Sequence, residues 1–268
     1  MSRTIAITGA ASGIGAALAK RLTSEGHRVI GVDVQKSDIE ADLSTAAGRK
    51  AAIAAVKEAC GGVLDGLVPC AGLSGLPNRA GSILVSLNYF GTIELLEGLR
   101  ECLARAEAPA AVAISSNSTT TTPAGMVSEE IVATLLAGDE QKARAMADET
   151  GSLAAYPTTK TAVARWVRRH APTPEWVGQG ITLNAIAPGK TATAMVAEGR
   201  ADPIIGPHLD KFPIPLGRDG KPEELAALLA FLLGPEARFF VGSFIVCDGG
   251  TDALTRPDDW PAPPRPKA

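Results

Sequence analysis

Thr4-Ile5-Ala6-Ile7-Thr8-Gly9-Ala10-Ala11-Ser12-Gly13-Ile14-Gly15 is the stretch whose reading decides the fold. Its first five residues, apolar and rich in β-branched side chains, predict a strand. A helix over about residues 14–25 follows, with Ile14, Leu18 and Leu22 on one side and Gly26 as its stop. A glycine turn between a strand and a helix can cradle a pyrophosphate at the positive end of that helix. Gly9 permits the tight turn, Gly13, between Ser12 and Ile14, lets backbone amides approach phosphate oxygens, and Gly15 lets the helix lie close to the sheet.

Short apolar runs and helical patterns alternate from there to the C-terminal region. Strands are expected at 28–32, 39–41, 66–70, 110–115, 182–186 and 243–246, with helices at 45–59, from about Ser82, from about Ala155 and at 223–233. Such alternation predicts an α/β chain: one doubly wound (Rossmann) domain over residues 1–268, with a seven-stranded parallel sheet covered by helices on both faces. Asp33 ends the second strand at the spacing that grips a ribose diol. Its carboxylate repels a 2′-phosphate and so favours NAD over NADP; Arg28 and Lys36 do not occupy the place beside the turn where a phosphate would want a cation.

Two segments depart from the rhythm. Residues 119–152 are too long for a loop and carry helical patterns at 128–136 and 139–149, which predicts a helical insertion. Residues 190–221 are rich in Pro and Gly yet hold Met195, Val196, Ile204, Ile205, Phe212, Ile214 and Leu216, which predicts a substrate lid after a strand's carboxyl end. Residues 256–268 are Pro-rich and are expected to form an extended tail.

Tyr156 and Lys160 lie one helical turn apart, so phenol and ammonium share a face. A fixed cation lowers a phenol from its usual value near ~10 towards neutral pH. Beside a nucleotide pocket, that pairing suggests proton transfer coupled to hydride transfer.

The chain's composition removes several classes. A net charge of −3 over 268 residues offers no polyanion-binding surface, so no nucleic-acid partner is expected. Cys60, Cys70, Cys102 and Cys247 lack paired-ligand spacing and read as buried free thiols; His27, His170 and His208 do not converge with them, so no metal site is expected. There is no charged-then-apolar leader, and the longest apolar run, 225–233, is too short to span a bilayer; a cytoplasmic protein without membrane association is expected.

The spacing Gly9-x-x-x-Gly13-x-Gly15, with Tyr156-x-x-x-Lys160, resembles the short-chain dehydrogenase/reductase family over essentially the whole chain. The resemblance implies that Asp42 and Leu43 flank the adenine. It places Cys70, Ala71 and Gly72 along the cofactor where the family usually has Asn-Ala-Gly. Pro188 and Gly189 would begin the nicotinamide-side loop, with Thr191 and Thr193 at the carboxamide, and Cys247-Asp248-Gly249-Gly250 would close the last strand.

It also implies a catalytic set. Ser116 in Ile114-Ser115-Ser116 would orient the substrate oxygen, with neighbouring Ser115 the other candidate. Tyr156 would be the general acid and base. Lys160 would lower its pKa and bind the nicotinamide ribose, and Asn88 would hold a water in the proton relay. Three departures stand out. Cys70 replaces Asn, the Ser-to-Tyr gap is long, and Pro157 requires Tyr156 to lie in the first turn of its helix.

The long gap, with Gly26-His27-Arg28-Val29-Ile30-Gly31-Val32-Asp33, Ala41-Asp42-Leu43-Ser44-Thr45-Ala46 and Asn88-Tyr89-Phe90-Gly91, resembles the branch of bacterial 3α-hydroxysteroid dehydrogenase/carbonyl reductases. That implies NAD-linked interconversion of a secondary alcohol and a ketone on a flat or bulky apolar small molecule. It also implies a homodimer rather than a tetramer, because the insertion would block the family's usual helix packing. Aryl or alicyclic alcohol oxidation without steroid activity, reduction of a carrier-bound 3-oxoacyl chain, and NAD sensing without chemistry are the alternatives.

Overall fold

The computed structural model describes residues 2–123 and 125–259. Residues 260–268 of the expected tail lie outside the described residues. The strands are β1 (Thr4–Thr8), β2 (Arg28–Asp33), β3 (Ile39–Glu40), β4 (Gly66–Pro69), β5 (Ala110–Ile114), β6 (Thr182–Pro188) and β7 (Phe244–Cys247). They form one sheet in the order β3-β2-β1-β4-β5-β6-β7, every pair parallel. The chain order reverses between β1 and β4, which opens a crevice at the carboxyl ends of these strands.

Period-two alternation assigns the two faces of the sheet. Ile5 and Ile7 of β1, with Val112 and Ile114 of β5, enter a core with Leu18 and Leu22 of α1 (Gly13–Ser24). Ala6, Ala111 and Ala113 point the other way, into a second core that Ala52 and Val56 of α2 (Ala46–Ala59) also enter. Small residues there let that layer lie close to the sheet. Full burial of a leucine such as Leu18 contributes about 2 kcal/mol.

After β4 come α3 (Gly81–Leu84), a π-helical turn (Val85–Phe90) and α4 (Gly91–Leu103), effectively one interrupted helix. The π turn had no sequence signal; it re-aims the side chains around Asn88 relative to α4. Past β5 lie α5 (Ser118–Thr121), α6 (Glu129–Leu136), α7 (Glu140–Thr150) and α8 (Ser152–His170). Ser128 and Asp139 cap α6 and α7 by accepting from the Ile131 and Lys142 amides. Fully buried Arg49 of α2 ties α7 down: its guanidinium reaches Glu94 at 2.8 Å and Glu140 at 2.5 Å. Glu140 also accepts from Ser86 Oγ of the π turn.

Helix α8 starts at Ser152, not near Ala155. Tyr156 therefore lies in the second turn, and the expected first-turn position is corrected. Pro157 is buried inside the helix and removes one amide donor. The helix begins early because Ser152 Oγ anchors on the Leu76 carbonyl and the Ala155 amide already bonds Gly151.

The 190–221 segment is helical rather than irregular, with α9 (Ala194–Ala201) and α10 (Gly206–Asp210). Its two ends meet in a parallel bridge between Thr191 and Gly220. The fold then closes with α11 (Pro222–Leu233), packed on α1, followed by β7 and α12 (Thr251–Thr255). All four cysteines are free. Cys60 and Cys102 are buried as expected, but Cys70, which lines the crevice, and Cys247 at the end of β7 are only partly so. No helix is long and apolar enough to cross a membrane, and no metal-binding cluster is present among the described residues.

Candidate active site

A cavity of about 1030 Å³ fills the crevice. Every cofactor position expected from sequence lines it: Gly9, Ser12, Gly13, Ile14, Gly15, Asp33, Asp42, Leu43, Cys70, Ala71, Gly72, Pro188, Gly189, Thr191 and Thr193, with Tyr156 and Lys160. Asn88 does not line it; it is fully buried behind the wall.

The turn residues fit a dinucleotide. Gly9 has φ 67°, and a Cβ there would stand 2.9 Å from the Ala71 amide nitrogen. A Cβ on Gly15 would meet the Gly9 carbonyl oxygen at 2.3 Å, so any side chain would push α1 off the turn. Ser12 makes no side-chain cap to α1, which leaves the first-turn amides open to a phosphate. Thr8 Oγ1 accepts from the Ala71 amide at 2.9 Å and fixes the two rims of the crevice together. Asp33 is oriented by the Ala11 amide at 3.0 Å and the Val34 amide at 2.7 Å, with its carboxylate at the cavity.

The serine pair separates by geometry. Ser115 donates to the Lys160 main-chain carbonyl at 2.9 Å and is tied into α8. Ser116 accepts from the Ser118 amide at 3.1 Å and lines the same cavity as the Tyr156 phenol. Lys160 is buried and donates from Nζ to the Ile114 carbonyl at 3.0 Å. Burial lowers its ammonium to about 8, against a smaller raising effect of the Cys70 thiol. Burial likewise pushes the Cys70 thiol up to about 11.

Burial also raises the Tyr156 phenol above its usual value, and nearby Ser116 opposes the rise. This corrects the expectation of a phenol already lowered by Lys160. The ammonium is engaged by the Ile114 carbonyl and is itself penalised by burial.

Asn88 is held on both sides by Leu73: its Oδ1 accepts from the Leu73 amide and its Nδ2 donates to the Leu73 carbonyl, each at 2.9 Å. These two bonds fix the start of the loop after β4. The side-chain amide stays close to the charge centre, since a Cβ on Gly72 would sit 3.1 Å from Asn88 Oδ1 and 3.6 Å from Lys160 Nζ.

Several residues escaped the sequence reading. Asn117 lines the cavity and donates to Asp248 at 3.1 Å, and Asp248 also accepts from the Gly250 and Asp252 amides. The Ser74-Gly75-Leu76 loop forms part of the wall, and with Ile83, Leu87, Met126 and Leu153 gives the substrate half its apolar side. From the 190–221 segment Met195, Val196, Ile205 and Phe212 face the cavity, whereas Ile204, Ile214 and Leu216 do not. Aligned polar groups on a mostly apolar wall suit a bulky apolar molecule with one reacting oxygen.

Comparison with known proteins agrees. A family model described as enoyl-(acyl carrier protein) reductase matches residues 9–252. The 3-alpha-hydroxysteroid dehydrogenase/carbonyl reductase of Comamonas testosteroni is 43% identical over 259 residues, covering 96% of this chain and 99% of its own. The crystal structure of the 3-alpha-hydroxysteroid dehydrogenase from Pseudomonas sp. B-0831 complexed with NADH superposes with a TM-score of 0.91 at 46% identity, covering 96% of this chain and all (100%) of that one. Levodione reductase is more distant, with a TM-score of 0.74 and 26% identity over 94% of this chain and 98% of its own. With the glycine turn, the Tyr-x-x-x-Lys pair and the seven-stranded sheet in place, the chain belongs to the short-chain dehydrogenase/reductase family of nicotinamide-dependent oxidoreductases.

Proposed function

We propose that this chain interconverts a secondary alcohol and a ketone on a bulky apolar substrate of the 3α-hydroxysteroid type, with NAD as cofactor. The observation that carries the reading is the grouping of Ser116, Tyr156 and buried Lys160 on the wall of one cavity with apolar sides. Bound NADH would supply the hydride, or NAD accept it, at the substrate carbon. Ser116 orients the substrate oxygen with its hydroxyl. Tyr156 gives its phenolic proton to that oxygen in reduction and takes it back in oxidation. A phenol held above its usual value is protonated at neutral pH, which suits the acid role. Lys160, which would also hold the nicotinamide ribose, supplies the positive charge that favours phenolate for the base role. The segment over residues 190–221 acts as the lid that excludes water.

A coupled absorbance assay tests the reading. Turnover of 3α-hydroxysteroids or their 3-ketones with NAD(H) is expected, and a panel of steroid, aryl and alicyclic compounds without NAD-linked turnover would overturn it. The cofactor preference rests on Asp33. Asp33→Ala is expected to tighten NADPH binding about 10-fold relative to NADH, because one partly screened like-charge repulsion is removed. Fluorescence titration of the two cofactors checks this; an unchanged ratio would place the discrimination elsewhere.

The same reading includes a homodimer in the cytoplasm. Helices α6 and α7 pack on α8 and the π turn, which supports self-association through another face. Four free thiols accord with a reducing compartment. Light scattering is expected to return the mass of two chains, and a tetramer would contradict it.

A further inference from the structure

The loop after β4 is a fixed wall of the cavity. Asn88 holds Leu73 by two hydrogen bonds, Ser152 Oγ holds the Leu76 carbonyl, and Gly75 lies so close to α8 that a Cβ would meet the Ser152 carbonyl oxygen at 2.5 Å. The 190–221 segment facing it is held differently. Its bridge at Thr191 and Gly220 joins its own two ends, and Asp219 pairs with Lys190 at 3.3 Å and Arg200 at 2.8 Å within the segment. These contacts shape the segment without fastening it to the opposite wall.

One ion pair makes that connection among the described residues. Arg79 Nη2 meets Glu198 Oε1 of α9 at 2.8 Å, across 119 positions of sequence. Arg79 is itself pinned, since Nη1 donates to the Ser74 carbonyl at 2.5 Å and to Ser74 Oγ at 3.3 Å. Its side chain is 15% exposed and that of Glu198 49%. A rigid cation on the wall thus meets a solvent-accessible carboxylate on the lid. Both elements line the cavity, Ser74 and Leu76 on one side and Met195 and Val196 on the other.

We propose that Arg79 and Glu198 form an ionic latch that holds α9 closed over the substrate half of the cavity, making Glu198 a positioning residue for substrate retention. The latch rests on the proposed function for its substrate, but not for its mechanics. A half-exposed pair is worth little alone and is screened by salt. It therefore suits a contact that must open in every turnover, while the wall behind Arg79 stays put.

The test uses the full chain at saturating NADH with a 3-ketosteroid, in NaCl from about 0.02 to about 0.5 M. Wild-type KM for the ketone is expected to rise about threefold across the series without loss of kcat. Glu198→Gln is expected to begin at the raised KM and stay flat with salt. Trypsin cleavage at Arg200 and Lys211, followed without substrate, should quicken by a similar factor with salt in the wild type and be fast at every salt concentration in the variant. A wild-type KM and cleavage rate indifferent to salt, with Glu198→Gln indistinguishable from wild type, would overturn the latch; so would faster cleavage with an unmoved KM. Should the wild type turn over no ketone, the proposed reaction fails while the cleavage series still judges the latch.

Discussion

Tyr156→Phe is expected to lower turnover by about 10³-fold or more in both directions while leaving NADH binding within about twofold of wild type. The substitution removes one oxygen from a half-buried ring and leaves the packing of α8 intact. Tyr156 shares the cavity wall with Ser116 and Lys160. The cofactor cradle at Gly9, Gly13 and Gly15 belongs to other elements, β1 and α1, so it does not depend on the phenol. Steady-state rates with fluorescence titration of NADH separate the two effects. Substantial residual turnover would remove Tyr156 from the proton transfer; a lost NADH affinity would make it a binding residue instead.

Lys160→Met should act on rate, pH profile and stability together. The methionine keeps the apolar stem but loses the charge, so kcat/KM for NADH is expected to fall about 10²-fold or more. In the wild type this quantity reports the free enzyme. It should be level at lower pH and decline above about pH 8, as the Lys160 ammonium loses its proton. In the variant that limb should vanish.

The stability effect has the opposite sign. The folded pKa of Lys160 is below its unfolded value of 10.5, so the folded state binds the proton more weakly. Burying the charge therefore costs stability at pH values below about 8, and this cost is relieved as pH rises from there towards 10.5. The cost is on the order of 3 kcal/mol, offset by the hydrogen bond to Ile114. Lys160→Met is thus expected to be the more stable protein at pH 7, by an advantage that shrinks through pH 8 and above. Thermal unfolding across pH checks the sign, and a less stable variant at pH 7 would contradict it. Such a trade of stability for function is common where a charge is held for chemistry.

Local rules made much of this molecule readable from its residues. Ile5 and Ile7 against Ala6 set the faces of β1, and Gly9, Gly13 and Gly15 marked the crevice because only backbone without Cβ fits there. Helical patterns at 128–136 and 139–149 announced the insertion helices, which Ser128 and Asp139 cap. What escaped depends on residues distant in sequence or on backbone detail without a residue signature. The π turn over Val85–Phe90 has no such signature, yet it sets where Asn88 points.

Pro157 suggested a helix start that tertiary anchoring at Ser152 moved upstream. Arg49 sits in an Ala-rich helix and looks like a surface cation, but Glu94 and Glu140 compensate it under cover of Phe90. The phenol's upward shift was also illegible, because burial outweighs a nearby cation only once the surroundings are known. The Arg79–Glu198 contact joins parts of the chain that no periodicity relates.

The most direct test is an ultraviolet difference titration of the phenols with and without NAD. The chain has only two tyrosines, and burial pushes Tyr89 far up, so the lower transition belongs to Tyr156. A Tyr156 transition above the ordinary tyrosine value in the free protein, moving down towards neutral pH when NAD binds and absent in Tyr156→Phe, is the predicted result. A transition that ignores NAD would contradict a phenol poised for proton exchange beside the cofactor.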